Sequence, residues 1–251
     1  MFIPHSLIWV SEYYEVGTIM QIKAIKTRIF RETEALLPFI LKYIKKIPEG
    51  SVLVVTSKIV ALSEGRTVVF KNEKQKIALI KEESNLAIKT KNTWLTIKDD
   101  MVMAFSGIDE SNSNGKLTLL PKDSFESAKV LRKKLIQNLR LKNLGVLVTD
   151  SGFLPLRTGT IGLALGYAGF KGIRNYIGKK DIFGRILKFS RTDIADSLAT
   201  SAVLCMGEGK EQQPLAIITN APVVFTEKIN KKELRIKTTK DIYAPLFNKI
   251  S

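Results

Sequence analysis

The chain has 251 residues, of which 45% are hydrophobic and 25% charged, and its formal net charge at pH 7 is +16. This composition is typical of a soluble globular protein and excludes a disordered or fibrous chain, and no apolar run is long enough to span a bilayer. The single cysteine, Cys205, excludes an internal disulfide and favours a reducing, cytoplasmic setting. The single histidine, His5, lies near the N-terminus, which excludes a His-rich zinc site and a Ser-His or Cys-His catalytic pair built from interior residues.

The first half of the chain is predicted to alternate strands and helices after an N-terminal extension at 1–19. Alternating and β-branched runs predict strands at 20–24, 51–56 and 101–105. Helical spacing predicts one helix at 33–46, which Pro38 bends or restarts, and another at 73–89.

The second half is predicted to contain two capped helices. Asp123 and Glu126 form a capping-box-like start for the first, whose apolar residues recur every three to four positions: Phe125, Ala128, Leu131, Leu135 and Leu139. Its basic residues are expected to face solvent: Lys129, Arg132, Lys133 and Arg140. Thr192 and Asp193 cap the second helix, which runs to about Met206 with Cys205 on its apolar side.

Further strands are predicted at 146–149, 161–168, 186–189 and 215–219, with a turn at 181–185 and a peripheral Lys-rich tail. The strand at 161–168 alternates large residues with Gly and Ala. This pattern predicts a bare face that a neighbouring backbone or a ligand can approach closely, and packing is the favoured interpretation.

Three acid-bearing turns follow predicted elements. Residues 109–112 follow a strand, Asp150 and Ser151 end another, and Glu208 follows the second capped helix. Taken alone, each is also a common surface turn or helix cap. If the three turns converge, their oxygens form the ligand set that Mg²⁺ or Mn²⁺ prefers, and Lys58 is available for a phosphate.

Five ordered motifs of this chain resemble those of the coenzyme F-420-0:gamma-glutamyl ligase family, over about residues 20–221. The motifs are 54–60 with 63–66, 107–112, 149–151 with Pro155 and Arg157, 181–185, and 195–199 leading to 206–208. The resemblance implies an α+β fold of mixed sheets with packed helices, a homodimer, and a glutamate ligase domain at 20–251. One departure is Leu62, which stands where the family usually has a second Lys, four residues after Lys58.

Carried over by position, the resemblance implies that Asp109 and Asp150 bind one Mg²⁺ or Mn²⁺ ion and that Ser151 and Glu208 bind a second, with K⁺ as a further candidate ion. Catalytic roles fall to Lys58, Asp109 and Asp150. The implied nucleotide contacts are Ser57, Lys58, Asn112, Met206, Gly207, Glu208, Gly209, Lys210, Glu211, Gln212 and Gln213.

The implied activity is an NTP-dependent ligase, with GTP favoured, that forms an acyl phosphate on a carboxylate acceptor and then an amide bond to L-glutamate. The implied acceptor is the deazaflavin precursor F-420-0 or, alternatively, a folate. The rival interpretation is a non-catalytic relative that binds nucleotide or nucleic acid. The lysines are scattered with little aromatic interleaving, so we expect the charge of +16 to attract anionic small substrates rather than nucleic acid.

Overall fold

Short strands and helices alternate along residues 19–111, 113 and 115–247, the part of the chain that the computed structural model describes. The elements in chain order are β1 (Gln21–Ile25), α1 (Leu36–Tyr43), β2 (Ser51–Thr56), α2 (Ser57–Ser63), β3 (Thr67–Val68), α3 (Glu73–Glu82), β4 (Leu86–Lys89), β5 (Trp94–Lys98), β6 (Met101–Ala104), β7 (Leu117–Thr118), α4 (Ser124–Leu139), β8 (Leu144–Gly152), β9 (Ile161–Ala168), β10 (Ile173–Asn175), β11 (Arg191–Asp193), α5 (Ile194–Met206), β12 (Leu215–Thr219) and α6 (Ala244–Phe247). The predicted α+β class is confirmed.

A five-stranded mixed sheet in the order β1-β12-β2-β8-β9 forms the centre of the fold. β2 and β8 pair in parallel, while the other three neighbouring pairs are antiparallel. The first five residues of β2 are all buried, because its β-branched and leucine side chains pack on both faces of the sheet. Because β1 and β2 each run antiparallel to β12, their carboxyl ends lie at the same edge of the sheet as that of β8.

The sheet separates two apolar clusters. One contains Leu53 and Val55 of β2 together with Ile40 of α1 and Leu135 of α4. The other contains Val54, whose side chain points to the opposite face of β2, together with residues of α5 such as Leu198. The strand at 161–168 packs closely, as predicted. A Cβ at Gly162 would lie 2.4 Å from the backbone oxygen of Ala199, and one at Gly166 would lie 2.4 Å from the backbone of Ser124.

Both capped helices are confirmed. The Asp123 carboxylate accepts a hydrogen bond of 2.9 Å from the N–H of Glu126, and the Asp193 carboxylate accepts one of 2.9 Å from the N–H of Asp196. A satellite sheet is formed by β4, β5 and β6, and the antiparallel pair of β3 and β7 shares an apolar cluster with Trp94 of β5. Among the described residues, no helix is long and apolar enough to cross a membrane.

Several predictions about elements are wrong in part. The helix predicted at 73–89 ends at Glu82, and residues 86–89 instead form β4. The strand at 101–105 is one residue shorter and only partly buried, and it belongs to the satellite sheet. The turn at 181–185 is present, with an N–H···O bond of 2.8 Å from Asp181 to Arg185, but 186–189 contributes only an isolated bridge.

Three side-chain or tail predictions are also corrected. Arg132 does not face solvent, because it is 8% exposed and donates to both oxygens of Glu227, at 2.7 and 2.6 Å. Cys205 is exposed rather than packed. The tail is not wholly peripheral, since Phe225 and Leu234 pack against the second apolar cluster. Residues 1–18 of the predicted extension lie outside the described residues, so its domain boundary stays a prediction.

Candidate functional site

A cavity of about 840 Å³ opens at the sheet edge where β2 and β8 end. Such crevices at the carboxyl ends of strands are where open sheets bind ligands. All the predicted site residues that the structure describes line it: Ser57, Lys58, Asp109, Asp150, Ser151, Met206, Gly207, Glu208, Gly209, Lys210, Glu211, Gln212 and Gln213. Asn112 lies outside the described residues. The three acid-bearing turns therefore converge on one cavity.

Lys58 and Asp109 form an ion pair at the centre of this cavity. Lys58 Nζ donates to the Asp109 carboxylate and to the carbonyl oxygen of Ser111, at 2.7 Å for the latter. Ser111 also donates to Asp109 from its N–H, at 2.6 Å, and from its hydroxyl, at 2.8 Å. Burial raises the pKa of Asp109, but the hydrogen bond and charge of Lys58 outweigh burial and hold that pKa below its ordinary value.

The negative charge of Asp150, near the end of β8, is compensated much less than that of Asp109. Asp150 Oδ1 accepts a hydrogen bond of 3.0 Å from the Ser57 hydroxyl. The pKa of Asp150 is raised to about 6, chiefly by burial and to a smaller extent by the negative charge of Asp109. The hydrogen bonds from the Ser57 hydroxyl and the Ser151 backbone, and the charge of Lys58, offset only part of that rise. The site thus contains two neighbouring carboxylates and one ammonium group, which leaves a deficit of positive charge.

Ser151 and Glu208 form a second oxygen pair in the cavity. The Ser151 hydroxyl lies 2.6 Å from Oε1 and 2.8 Å from Oε2 of Glu208. Glu208 sits in the turn after α5, which Gly207 starts with φ +82°, a backbone conformation that favours glycine.

The rest of that turn is held by its own hydrogen bonds. Gly209 N–H donates to the Glu211 carboxylate at 2.8 Å, and the Gln213 amide donates to the Met206 carbonyl at 3.1 Å. The carbonyl of Gln212 accepts from the N–H of Thr27 at 2.9 Å. The turn is therefore held by hydrogen bonds of its own and connects directly to the segment that follows β1.

The segment after β1 is a wall of the cavity that the sequence analysis missed. Its lining residues are Thr27, Arg28, Ile29, Phe30, Arg31 and Glu32, with Thr67 and Lys116 beside them. Glu32 accepts from Lys116 Nζ at 2.6 Å, and Arg28 pairs with Glu34. The sequence contained only an indirect indication of this wall. Its residues follow β1 just as Ser57 and Lys58 follow β2, but only the strand order shows that the carboxyl ends of β1 and β2 lie at the same edge of the sheet.

The donor set suits a hard divalent cation that also binds a phosphate. Every candidate ligand is an oxygen atom, from Asp109, Asp150, Ser151 or Glu208. Among the described residues, no three His, Cys, Asp or Glu side chains are grouped closely enough to enclose an ion by themselves. Mg²⁺ is commonly held by one or two carboxylates together with substrate phosphates and water, which matches paired rather than clustered acids.

Comparison with known proteins identifies the family. The sequence profile of the F420-0:Gamma-glutamyl ligase family matches residues 24–220. The Coenzyme F420:L-glutamate ligase of Methanococcus maripaludis strain C7 is 38% identical over 173 residues, which cover 68% of this chain and 69% of the relative. The protein of the same name from strain C6 is 34% identical over 231 residues, covering 84% and 91%. That from Methanocaldococcus jannaschii is 35% identical over 201 residues, covering 71% and 79%. The chain therefore belongs to the F420-0:gamma-glutamyl ligase family.

Proposed function

We propose that this protein is a GTP-dependent ligase that joins L-glutamate by an amide bond to a carboxylate acceptor of the coenzyme F420 type. The relatives named above are Coenzyme F420:L-glutamate ligases, which supports both the bond formed and the acceptor. The observation that carries the proposal is the convergence of Lys58, Asp109, Asp150, Ser151 and Glu208 on one cavity from four separate segments of the chain.

The charges of the cavity suit a nucleoside triphosphate. Lys58 is three-quarters buried and would contact a phosphate oxygen after exchanging its bond to Asp109. Arg31 and Lys210 add positive charge to the lining, whereas Arg28 and Lys116 are already paired with Glu34 and Glu32. The carboxylates alone would repel a triphosphate, and a divalent ion held by the oxygens of Asp109, Asp150, Ser151 and Glu208 would reverse that repulsion and neutralise the transferring phosphoryl group.

The proposed reaction has two steps. An oxygen of the acceptor carboxylate attacks the γ-phosphorus, the bond to the β–γ bridging oxygen breaks, and GDP leaves, so that the acceptor becomes an acyl phosphate. The neutral amine of glutamate then attacks the acyl carbon, the bond from that carbon to the phosphate oxygen breaks, and inorganic phosphate leaves. The amine loses one proton, which the released phosphate can carry. In this proposal Lys58 would hold the γ-phosphate during the first step.

A purely binding role is less well supported. Asp150 is an acid whose charge the surrounding protein leaves undercompensated, and such groups are more common at reactive sites than at simple binding surfaces. The homodimer, K⁺ binding and a cytoplasmic location stay predictions from the resemblance and the composition.

The test is product analysis by mass spectrometry. The protein is incubated with L-glutamate, Mn²⁺ and either GTP or ATP, and with coenzyme F420-0, a folate or no acceptor. We expect a mass increase of one glutamyl residue on coenzyme F420-0 with GTP, and a hydroxamate when hydroxylamine replaces glutamate, because hydroxylamine traps acyl phosphates. Addition to the folate alone would correct the acceptor. Absence of both glutamylation and nucleotide turnover with every acceptor would contradict the proposed function.

A further inference from the structure

A second cavity of about 830 Å³ lies on the free side of β9, the edge strand of the central sheet. Leu163 and Leu165 of β9 line it, together with Val102 of β6, Phe125 at the start of α4 and Tyr243 near the C-terminus. The C-terminal segment therefore closes a space between the central sheet and the satellite sheet. Its volume is within the range of sites that bind drug-sized molecules and is far larger than glutamate requires.

The lining of this cavity is largely apolar and aromatic, and the two cations of its C-terminal segment are paired. Three rings face it, those of Phe125, Phe153 and Tyr243. The two cations on the C-terminal segment are neutralised, because Lys231 pairs with Asp123 at 2.7 Å and Arg235 pairs with Asp100 at 2.8 Å. The other charged residues of the lining are mostly acidic, with Asp99, Asp196 and Asp241 against Lys122. The cavity therefore does not attract a polyanion, and it suits a large planar group.

One carboxylate gives this cavity a means of orienting such a group. Asp196, in the first turn of α5, lines it, and its Oδ1 accepts a hydrogen bond of 2.7 Å from the N–H of Ala164. That bond fixes the carboxylate against β9. A carboxylate has further acceptor sites, so Asp196 can also accept from an N–H or O–H at the edge of a heteroaromatic ring.

The two cavities lie close to each other near the end of β8. Asp150 and Ser151 line the first cavity, whereas Phe153, only two residues beyond Ser151, lines the second. Two residues of extended chain span about 7 Å at most. On the neighbouring strand, Leu163 of the second cavity is the direct pairing partner of Asp150. A molecule with a ring in the second cavity and a carboxylate on a short extension could therefore reach the acids of the first.

We propose that the second cavity binds the planar heteroaromatic end of the carboxylate acceptor and directs its carboxylate past Phe153 towards Asp150. The assignment rests on the proposed function, which requires a site for a third substrate besides nucleotide and glutamate. It gives Phe153 a stacking role, and it gives Asp196 a positioning role at the ring.

The test compares two matched tryptophan variants. Val102→Trp adds bulk to the wall of the second cavity, while Val130→Trp adds the same bulk on α4, away from both cavities; the two valines are 40% and 41% exposed. Binding of coenzyme F420-0 and of GTP with Mn²⁺ is measured separately by calorimetry, without turnover. We expect Val102→Trp to weaken coenzyme F420-0 binding at least tenfold and to leave GTP binding within twofold of wild type, with Val130→Trp unchanged in both.

Phe153→Ala serves as a second variant if Val102→Trp folds poorly, because Phe153 is 60% exposed and its loss should cost little stability. It is expected to raise the KM for the acceptor several-fold with the KM for GTP unaltered. Unchanged coenzyme F420-0 affinity in both cavity variants would overturn the inference, as would failure of the wild-type protein to bind coenzyme F420-0. A change of oligomeric state confined to Val102→Trp, with acceptor binding intact, would also overturn it and assign the cavity to contact between copies. If the cavity variants weaken coenzyme F420-0 binding but the wild-type protein has no ligase activity, the assignment of the second cavity stands and only the proposed function is rejected.

Discussion

Replacing Asp109 by Asn should separate the stability of the protein from its activity. The substitution removes one negative charge and keeps an oxygen that can still accept the N–H of Ser111, now 2.6 Å away. The side chains of Asp109 and Lys58 are 42% and 25% exposed. Ion pairs that accessible to solvent contribute about 1 kcal/mol or less, so the free energy of unfolding should fall by no more than that amount.

The effect on turnover should be much larger. In the proposed reaction, Asp109 helps to hold the charge that neutralises the transferring phosphoryl group, and losing one preorganised electrostatic contact of this kind typically lowers kcat about 10²- to 10³-fold. That loss corresponds to roughly 3–4 kcal/mol of transition-state stabilisation. An effect on catalysis several times larger than the effect on folding is expected of a functional carboxylate and not of a structural one.

The assay measures phosphate release and urea unfolding on the same preparations. Glu126→Gln is the matched control, since Glu126 is 50% exposed in an ion pair of 3.7 Å with Lys129 on α4 and lines neither cavity. It should change neither quantity measurably. The reasoning is refuted if Asp109→Asn keeps kcat within threefold of wild type, or if its loss of activity is matched by a loss of stability above about 2 kcal/mol.

Three further predictions follow from burial and packing. Because Asp150 has a pKa of about 6 and must lose its proton to bind a cation, Mn²⁺ affinity measured by calorimetry should fall as pH drops below 6; equal affinity at pH 5 and pH 8 would contradict this. Gly166→Ala should lower the free energy of unfolding by about 2–3 kcal/mol, because the new Cβ would lie 2.4 Å from the backbone of Ser124. Gly178→Ala is the comparison: its φ of +84° disfavours a Cβ but the surrounding space is open, so it should lower that free energy by only about 1–2 kcal/mol. Asp193 has a pKa raised to about 7, chiefly by burial, so the folded state binds its proton more tightly than the unfolded state does, and stability falls as pH rises from about 4 through 7. Asp193→Asn keeps the helix cap and should therefore raise the thermal midpoint much more at pH 8 than at pH 4, and equal changes at the two pH values would contradict this.

Sequence patterns sufficed where local preference and tertiary packing agree. The strand at 51–56 was predicted with its observed bounds, because a continuous β-branched run is typical of a strand that is buried on both faces of a sheet. The helices after Asp123 and Asp193 were predicted because their caps are local hydrogen bonds between residues three apart. The acidic turns could be placed together only with the help of the family resemblance, since their meeting depends on strand order.

The patterns failed where a distant partner decides the outcome. Residues 86–89 could continue the preceding helix, but pairing with β5 converts them to a strand. Arg132 lies on a helix whose other basic residues face solvent, and it is buried because Glu227, 95 positions away in sequence, pairs with it. The wall from Thr27 to Glu32 went unnoticed for the same reason: its place beside Lys58 follows from β12 lying between β1 and β2.

Two carboxylic acids of the described chain have raised pKa values, and only one of them has a structural reason. Acids with partners at structural positions have lowered pKa values: Glu83 lies 2.9 Å from Arg66 and 2.7 Å from Lys98, and Glu227 is bonded to Arg132. Of the aspartates and glutamates with resolved shifts in the described part of the chain, only Asp150 and Asp193 are raised. Asp193 has a structural reason, since it caps a helix beside Asp196. Asp150 caps nothing and receives a single side-chain hydrogen bond, from Ser57, and it lines the cavity together with Asp109, Ser151 and Glu208. A buried and poorly compensated carboxylate contributes little to the stability of the fold, which agrees with the proposal that Asp150 helps to bind a cation beside a phosphate.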